Sequence, residues 1–214
     1  MNITEQMLCA LRERIEKEMS PKRFKHTAEV EKMAAYLGAL YAPDKIMMLR
    51  AAALLHDVTK EYPTEQQLNL CKKYGVELEA DAYFAPKTLH ARTAAALIPV
   101  EYPEFADEEI ISCVRWHTTG RAGMTLAEKL IYLADYIDMS RTFDDCVKLR
   151  KYFMSVDTQR LSEDKKMAHL RRTLIISYDM TMSGLINEGL PINGDTVASR
   201  NELVREEIAE KISK

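Results

Sequence analysis

The sequence predicts an all-α protein, and three observations support this prediction. The 214 residues include only 7 glycines and 7 prolines, the two residue types that interrupt helices most strongly. Apolar residues recur at steps of three and four, the spacing that places them on one face of a helix. No stretch of useful length alternates apolar and polar residues as a half-buried strand does. We therefore expect one all-helical domain over residues 1–214.

Capping residues, prolines and glycines mark where the predicted helices begin and end. At Ser20-Pro21 a capping serine precedes a first-turn proline. Thr125 and Glu128 have the spacing of a capping box, and Gly75 is a helix-ending glycine. Thr64 is expected to cap a short helix. The helices predicted in this way cover residues 3–19, 20–41, 43 to a point before 63, 64–74, 87–98, 107–117, 125–137, 144–154, 163–188 and 196–212.

Charge and cysteine usage narrow the functional class. A net charge of −3 argues against general electrostatic binding of nucleic acid. No apolar run approaches the roughly 20 residues that a membrane-spanning helix needs, and charged residues near the N-terminus exclude a signal-peptide core. We therefore expect a soluble, cytoplasmic protein. The four cysteines have no C-x-x-C spacing, so we interpret them as reduced core thiols.

Four histidines and two aspartates fall on otherwise apolar helix faces: His26, His56, His90, His117, Asp57 and Asp135. Asp135 is the most informative, because apolar and aromatic residues surround it and an unpaired carboxylate there would be strongly disfavoured. A shared metal ion would neutralise such a group of side chains. Each histidine taken alone is more often an ordinary core or surface residue. His169, which lies among lysines and arginines, is interpreted in that way.

The order of these residues resembles that of the HD-domain metal-dependent phosphohydrolases. Four segments are similar to the bacterial YqeK family of symmetrical diadenosine tetraphosphate hydrolases: Lys-Arg-Phe-Lys-His-Thr at 22–27, Leu-Leu-His-Asp-Val-Thr-Lys-Glu at 54–61, His-Thr-Thr-Gly-Arg-Ala-Gly-Met at 117–124 and Ile-Tyr-Leu-Ala-Asp-Tyr-Ile at 131–137. The resemblance covers about residues 20–142. It implies a single HD-domain helical bundle, with additional C-terminal helices over 143–214.

The chain departs from the family pattern at two places. Asp138-Met139-Ser140 stands where the family usually has a glutamate and a proline before the arginine, and Ala91 stands where a glycine is common. Neither departure is expected to touch a proposed metal ligand.

The resemblance implies two divalent transition-metal ions, with iron favoured and manganese, cobalt or zinc as alternatives. His26, His56, Asp57 and Asp135 would hold one ion. Asp57, His90 and His117 would hold the other, so that Asp57 bridges the pair. Imidazoles with carboxylates suit these metals, and the absence of cysteine ligands disfavours a structural zinc site.

Several cations and small residues stand close in sequence to these ligands. Asp57, Lys60 and Arg121 are the predicted catalytic residues. The predicted substrate contacts are Arg23, Lys60, Thr118, Thr119, Gly120, Arg121 and Arg141. Gly120 is expected to let phosphate approach the backbone closely. The alternative that the cations are solvated surface charges stays open.

This set of residues predicts hydrolysis of dinucleoside polyphosphates, with diadenosine tetraphosphate cleaved symmetrically to two ADP by attack of a metal-bound hydroxide. One alternative is another HD-type phosphohydrolase, acting on nucleoside monophosphates, deoxynucleoside triphosphates or a guanosine tetraphosphate alarmone. A second is a non-catalytic nucleotide sensor. The expected partner is a small nucleotide, and neither nucleic acid nor a membrane. The C-terminal helices could complete the core or form a homodimer contact.

Overall fold

The computed structural model describes residues 2–78 and 83–212, and its regular secondary structure within these ranges is helical. The α-helices of the described residues are α1 Glu5–Glu18, α2 Pro21–Tyr41, α3 Ile46–Leu55, α4 Thr64–Lys73, α5 Leu89–Glu101, α6 Glu108–Trp116, α7 Leu126–Ile137, α8 Asp144–Met154, α9 Glu163–Asn187 and α10 Gly194–Ile212. The all-α prediction is confirmed. None of these helices has both the length and the apolar character needed to cross a membrane.

Several predicted helix ends agree with the structure because their signals are local. The Ser20 hydroxyl accepts a hydrogen bond from the Arg23 backbone N–H at 3.2 Å. Thr125 and Glu128 form the predicted capping box, with the Thr125 N–H donating to the Glu128 carboxylate at 2.7 Å. Thr64 is the first residue of α4 and does not act as its cap.

Two helix ends differ from the prediction. The helix α3 ends at Leu55, so that His56 to Lys60 lie in turns, where the Lys60 N–H donates to the Asp57 carbonyl at 2.9 Å. The helix α5 continues through Pro99 to Glu101. Pro99 has no N–H to donate within the helix, but the last turn still buries Ile98, whose carbonyl accepts from the N–H of Tyr102 at 2.9 Å.

The centre of the molecule is formed by α2, α3 and α7, with α6 packed against both α3 and α7. In α3 the whole run from Ala51 to Leu55 has no exposed surface. This burial fixes the helix in the core. The turn that follows α3, which carries His56 and Asp57, is therefore held on a rigid base.

A buried carboxylate joins the first three helices. Glu31 of α2 accepts hydrogen bonds from Arg12 of α1 at 3.0 and 2.5 Å, and from Arg50 of α3 at 3.0 Å. The Glu31 side chain is only 5% exposed. A charge in such a position is stable only when it is paired.

The C-terminal helices pack on the same core. Tyr178 of α9 is fully buried and stacks on Tyr132 of α7, with 4.6 Å between ring centroids. Leu203 of α10 belongs to the same hydrophobic cluster. The single-domain organisation and the homodimer contact stay predictions. Of the cysteines, Cys9 is exposed, in contrast to the prediction, and the other three are buried.

Candidate metal centre

The structure brings the six predicted ligands together from five helices and the turns that follow them. They are His26 on α2, His56 and Asp57 after α3, His90 on α5, His117 directly after α6, and Asp135 on α7. Asp135 is half-buried and the others are buried. Their nitrogen and oxygen atoms form overlapping groups in which all donors lie within 4.8 Å of one another. Such a cluster can hold a metal ion.

Asp57 lies between two pairs of histidines and presents one oxygen to each pair. Its Oδ2 atom is 3.4 Å from His56 Nε2 and 3.8 Å from His26 Nε2. Its Oδ1 atom is 3.3 Å from His90 Nε2 and 3.8 Å from His117 Nε2. A carboxylate placed in this way can serve two ions at once.

Unpartnered nitrogen atoms test whether the residues fit a metal. His26 Nε2 and His56 Nε2 are buried and have no hydrogen-bond partner among the described residues. Asp135 Oδ1 is 2.9 Å from His26 Nε2, but the contact does not have hydrogen-bond geometry. Buried polar atoms are normally satisfied. Nitrogen atoms that face carboxylates without bonding them fit a cation, so the donor set suits a divalent transition metal.

Two of the histidines have their orientation fixed by their own helices. The Nδ1 atom of His56 lies 2.6 Å from the Ala53 carbonyl, and that of His117 lies 2.7 Å from the Val114 carbonyl. A carbonyl can only accept, so each Nδ1 donates and each Nε2 keeps its lone pair. That lone pair is the one a metal requires.

Burial and neighbouring carboxylates act differently on His26, His90 and His117. Burial lowers the pKa of His117 to about 4, with a further contribution from His56, and burial also lowers that of His90 well below its ordinary value. His26 differs. Burial opposes its charged form, but the carboxylates of Asp135 and Asp138 raise its pKa to about 9.

Both aspartates are held as carboxylates. Burial disfavours the charge of Asp57, but His56, His90 and Lys60 lower its pKa well below the ordinary value. Burial likewise disfavours the charge of Asp135, and Arg141 with the neighbouring histidines lowers its pKa. Each aspartate is therefore ready to bind a cation.

Asp138 corrects one expectation from the sequence. It was expected not to touch a ligand, but its Oδ2 atom lies 3.3 Å from Nδ1 of His26. The residue ends α7, and its Oδ1 accepts from the backbone N–H of Ser140 at 2.8 Å, so the carboxylate is turned back toward the site. The Ser140 hydroxyl lies 3.2 Å from the same Nδ1 and donates to Asp138 Oδ1. A hydroxyl and a carboxylate behind a ligating histidine fix its ring.

The cations predicted to bind phosphate lie at different distances from the cluster. Arg23 Nη1 donates to Asp57 Oδ2 at 2.7 Å, and Arg141 Nη2 donates to Asp135 Oδ1 at 2.5 Å. Lys60 Nζ is 3.1 Å from Nε2 of His90. These three cations therefore adjoin the ligands directly. Arg121 does not: its hydrogen bonds go to the fully buried Glu128, at 3.0–3.3 Å.

The three residues of the loop at 118–120 differ in what they contact. The Thr118 hydroxyl lies 3.1 Å from Nε2 of His90 and 3.0 Å from Nε2 of His117. Thr119 is buried, and its carbonyl accepts from Thr196 at 3.0 Å. Gly120 has a φ of +64°, and a Cβ there would overlap the Tyr178 hydroxyl. Its N–H donates to the Trp116 carbonyl at 2.9 Å, so packing accounts for this glycine without any phosphate.

The sequence model of the HD domain matches residues 23–140, more than half of the chain. The chain belongs to the HD domain family. Two relatives are named symmetrical bis(5'-nucleosyl)-tetraphosphatase. The one from Bacillus subtilis is 31% identical, over 95% of this chain and 98% of the relative. The one from Halalkalibacterium halodurans is 30% identical, over 88% of this chain and 92% of the relative.

A solved structure is also similar. The crystal structure of a predicted HD superfamily hydrolase involved in NAD metabolism, from Clostridium acetobutylicum, matches with a TM-score of 0.80 and 27% identity. The match covers 96% of this chain and 100% of that chain. The HD fold and the C-terminal helices are thus found together in another protein.

Sequence reasoning missed Asp138, a carboxylate beside the cluster, and the role of Glu128 as the buried partner of Arg121. Asp138 follows Asp135 by three residues, the spacing of neighbours on a helix, and this spacing was the available signal. Glu128 was identified only as part of a capping box. Nothing local to it indicated that Arg121 would be its partner.

Proposed function

We propose that the chain is a metal-dependent hydrolase that cleaves diadenosine tetraphosphate symmetrically to two ADP. The observation that carries this proposal is the division of two histidine pairs between the two oxygens of Asp57, with cations adjoining the cluster. The two relatives that span nearly the whole chain bear the name of this activity. We propose two divalent ions as cofactors, with iron favoured.

Bound divalent ions would supply Lewis acidity at the phosphoryl group and an activated water for attack on phosphorus. His26, His56, Asp135 and Oδ2 of Asp57 would hold one ion. His90, His117 and Oδ1 of Asp57 would hold the other. Ser140 and Asp138 orient His26, and the two backbone carbonyls orient His56 and His117.

The cations beside the ligands would neutralise the negative charge of the substrate phosphates. Lys60 lies at the His90 end of the cluster, and Arg23 and Arg141 lie at the His26 end. Cations on the non-attacked phosphoryl oxygens stabilise a transition state in which charge spreads over those oxygens. The Thr118 hydroxyl can donate to a phosphate at the His90 end. Arg121 is proposed as a phosphate contact that would have to leave Glu128.

The direct test is product identity measured together with metal content. Purified protein is incubated with diadenosine tetraphosphate and Fe²⁺, Mn²⁺, Co²⁺ or Zn²⁺, and nucleotides are separated by chromatography. We expect ADP alone. AMP with ATP would show asymmetrical cleavage, and no turnover with any of these metals would refute the proposal.

A pair of histidine variants controls this experiment. His117→Asn removes a proposed ligand, whereas His169→Asn changes a histidine whose ring nitrogen lies 3.1 Å from the Phe153 carbonyl, outside the cluster. We expect His117→Asn to lose metal, measured by elemental analysis, and at least about 100-fold in kcat/KM. His169→Asn should keep both. Equal metal content in the two variants would exclude His117 as a ligand.

A further inference from the structure

Two cavities adjoin the cluster, one at each end. The first has a volume of about 370 Å³ and is mainly apolar, with walls that include Phe84, Thr118, Thr119, Leu185 and Leu190. The second is a cleft of about 420 Å³, with walls that include Lys22, Arg23, Lys25, His26, Arg141 and Phe143. We refer to them as the apolar cavity and the basic cleft.

The basic cleft has a proposed ligand in its wall, and the apolar cavity adjoins the cluster through Thr118. In the apolar cavity, the hydroxyl of Thr118 lies within 3.1 Å of Nε2 of both His90 and His117. In the basic cleft, His26 is itself a wall, and Arg141 bonds Asp135. The cluster therefore stands between the two spaces, with the His90 and His117 pair toward one and His26 toward the other.

The basic cleft carries more positive charge than its own carboxylates neutralise. Four cations line it: Lys22, Arg23, Lys25 and Arg141. Arg23 and Arg141 pair with ligands of the cluster. Lys22 and Lys25 are exposed and form no ion pair within residues 2–78 and 83–212. Such a concentration of cations beside a cluster of proposed metal ligands attracts a polyphosphate.

Each space also has an exposed phenylalanine in its wall. Phe143 is 70% exposed and Phe84 is 71% exposed. Large aromatic side chains left in water next to a concave site are typical of ligand contacts. A purine base stacked on such a ring gains roughly 1–3 kcal/mol.

We propose that the two spaces receive the two nucleoside ends of a dinucleoside tetraphosphate, with Phe84 stacking on the base in the apolar cavity and Phe143 on the base in the basic cleft. This inference rests on the proposed function and adds the residues that bind the second nucleoside. The tetraphosphate then crosses the cluster from one space to the other. Phe143 becomes a determinant of specificity for substrates that carry two bases.

The test compares a substrate with two bases against one with a single base. Diadenosine tetraphosphate and adenosine 5'-tetraphosphate share the phosphate chain, and the single adenosine of the latter is expected in the more apolar cavity. Phe143→Ala should raise KM for diadenosine tetraphosphate about tenfold, the loss of one stack, and leave KM for adenosine 5'-tetraphosphate within twofold. Met139→Ala is the matched control, because Met139 is 62% exposed on the same segment and is not among the residues that line the cleft.

A binding measurement tests this inference independently of whether the protein has the proposed activity. Titration calorimetry with ADP should give two sites per chain for the wild type and for Met139→Ala, and one for Phe143→Ala at the same concentrations. This count holds even if the protein does not hydrolyse diadenosine tetraphosphate. One ADP site in the wild type, or an equal effect of Phe143→Ala on both tetraphosphates, would overturn the proposal.

Discussion

Substitution of Gly120 by alanine separates the packing role of this residue from a role in phosphate binding. The added Cβ would overlap the Tyr178 hydroxyl and lie 3.0 Å from Tyr178 Cζ and 3.1 Å from Met124 Sδ. Tyr178 is fully buried and is hydrogen-bonded to Ser199 at 2.9 Å, so its ring cannot swing away without loss. The tyrosine hydroxyl therefore meets any side chain at this position.

Two terms set the magnitude of the effect. A non-glycine residue at a φ of +64° costs roughly 1–2 kcal/mol, and overpacking of a buried site costs about 1–3 kcal/mol. We expect Gly120→Ala to lower the free energy of unfolding by about 2–5 kcal/mol. In a chain of this size, each kcal/mol corresponds to a fall in Tm of about 2–4 °C.

The assay is a double-mutant cycle with Tyr178→Phe, which removes the overlapping hydroxyl. Free energies of unfolding are measured by urea titration with excess chelator, so that metal binding does not contribute. In the Tyr178→Phe background, Gly120→Ala should cost less than in the wild type, because the overlap with the hydroxyl is gone. The backbone strain of roughly 1–2 kcal/mol and the close contacts with Cζ and Met124 Sδ remain. If the costs of the two single substitutions add up to the cost of the double variant to within about 0.5 kcal/mol, the steric explanation is refuted. Loss of hydrolysis in a stable double variant would instead restore a phosphate role for Gly120.

Three further substitutions have outcomes that follow from the contacts described above. Arg121→Ala should lower the free energy of unfolding by about 2–3 kcal/mol in urea titration, because it removes a cation bonded to the buried Glu128 carboxylate. Asp138→Asn should weaken metal binding about 10–100-fold in a competition titration, because it alters the partner that orients His26. Glu31→Ala should cost about 3 kcal/mol by the same denaturation assay, because two arginines lose a shared buried partner.

Matched variants give each of these predictions a control. Glu128→Gln added to Arg121→Ala should recover part of the stability, and a kcat/KM that stays low in that double variant would support phosphate contact by Arg121. Asp144→Asn changes an exposed carboxylate in the first turn of α8, outside the cluster, and should leave the metal affinity unchanged. Glu29→Ala removes a pair with the exposed Lys32 and should cost less than about 1 kcal/mol; a loss equal to that of Glu31→Ala would contradict the role of burial.

The helices were predictable where their signals are local. A capping serine, a capping box or a helix-ending glycine acts within about four residues, so a single sequence contains the information. The end of α3 at Leu55 could not be predicted in this way. The Ala-Leu run favours continuation, and it is the convergence of His56 and Asp57 with four other helices that accompanies the end of the helix there.

The proposed ligands were identified by their position on apolar helix faces and by their resemblance to a family pattern, and the structure adds what lies behind them. Asp138 meets His26 across 112 positions of the chain (138 minus 26). The reason for Gly120 is Tyr178, 58 positions away (178 minus 120). Such contacts between distant residues depend on tertiary packing, which neither periodicity nor capping encodes. The residues that support a site were therefore harder to find than the residues that form it.

The position of the C-terminal helices has a consequence for how this chain can diverge. All six proposed ligands precede residue 136. Part of the wall of the apolar cavity comes from later residues, among them Thr181, Leu185, Leu190 and Thr196. Mutations in the later segment can therefore change which nucleoside fits while the hydrolytic chemistry is inherited intact. Only the walls formed by residues 84–88, Thr118 and Thr119 lie in the same stretch of sequence as the ligands, so a large part of this cavity can change under selection for a new substrate without a change in the ligands.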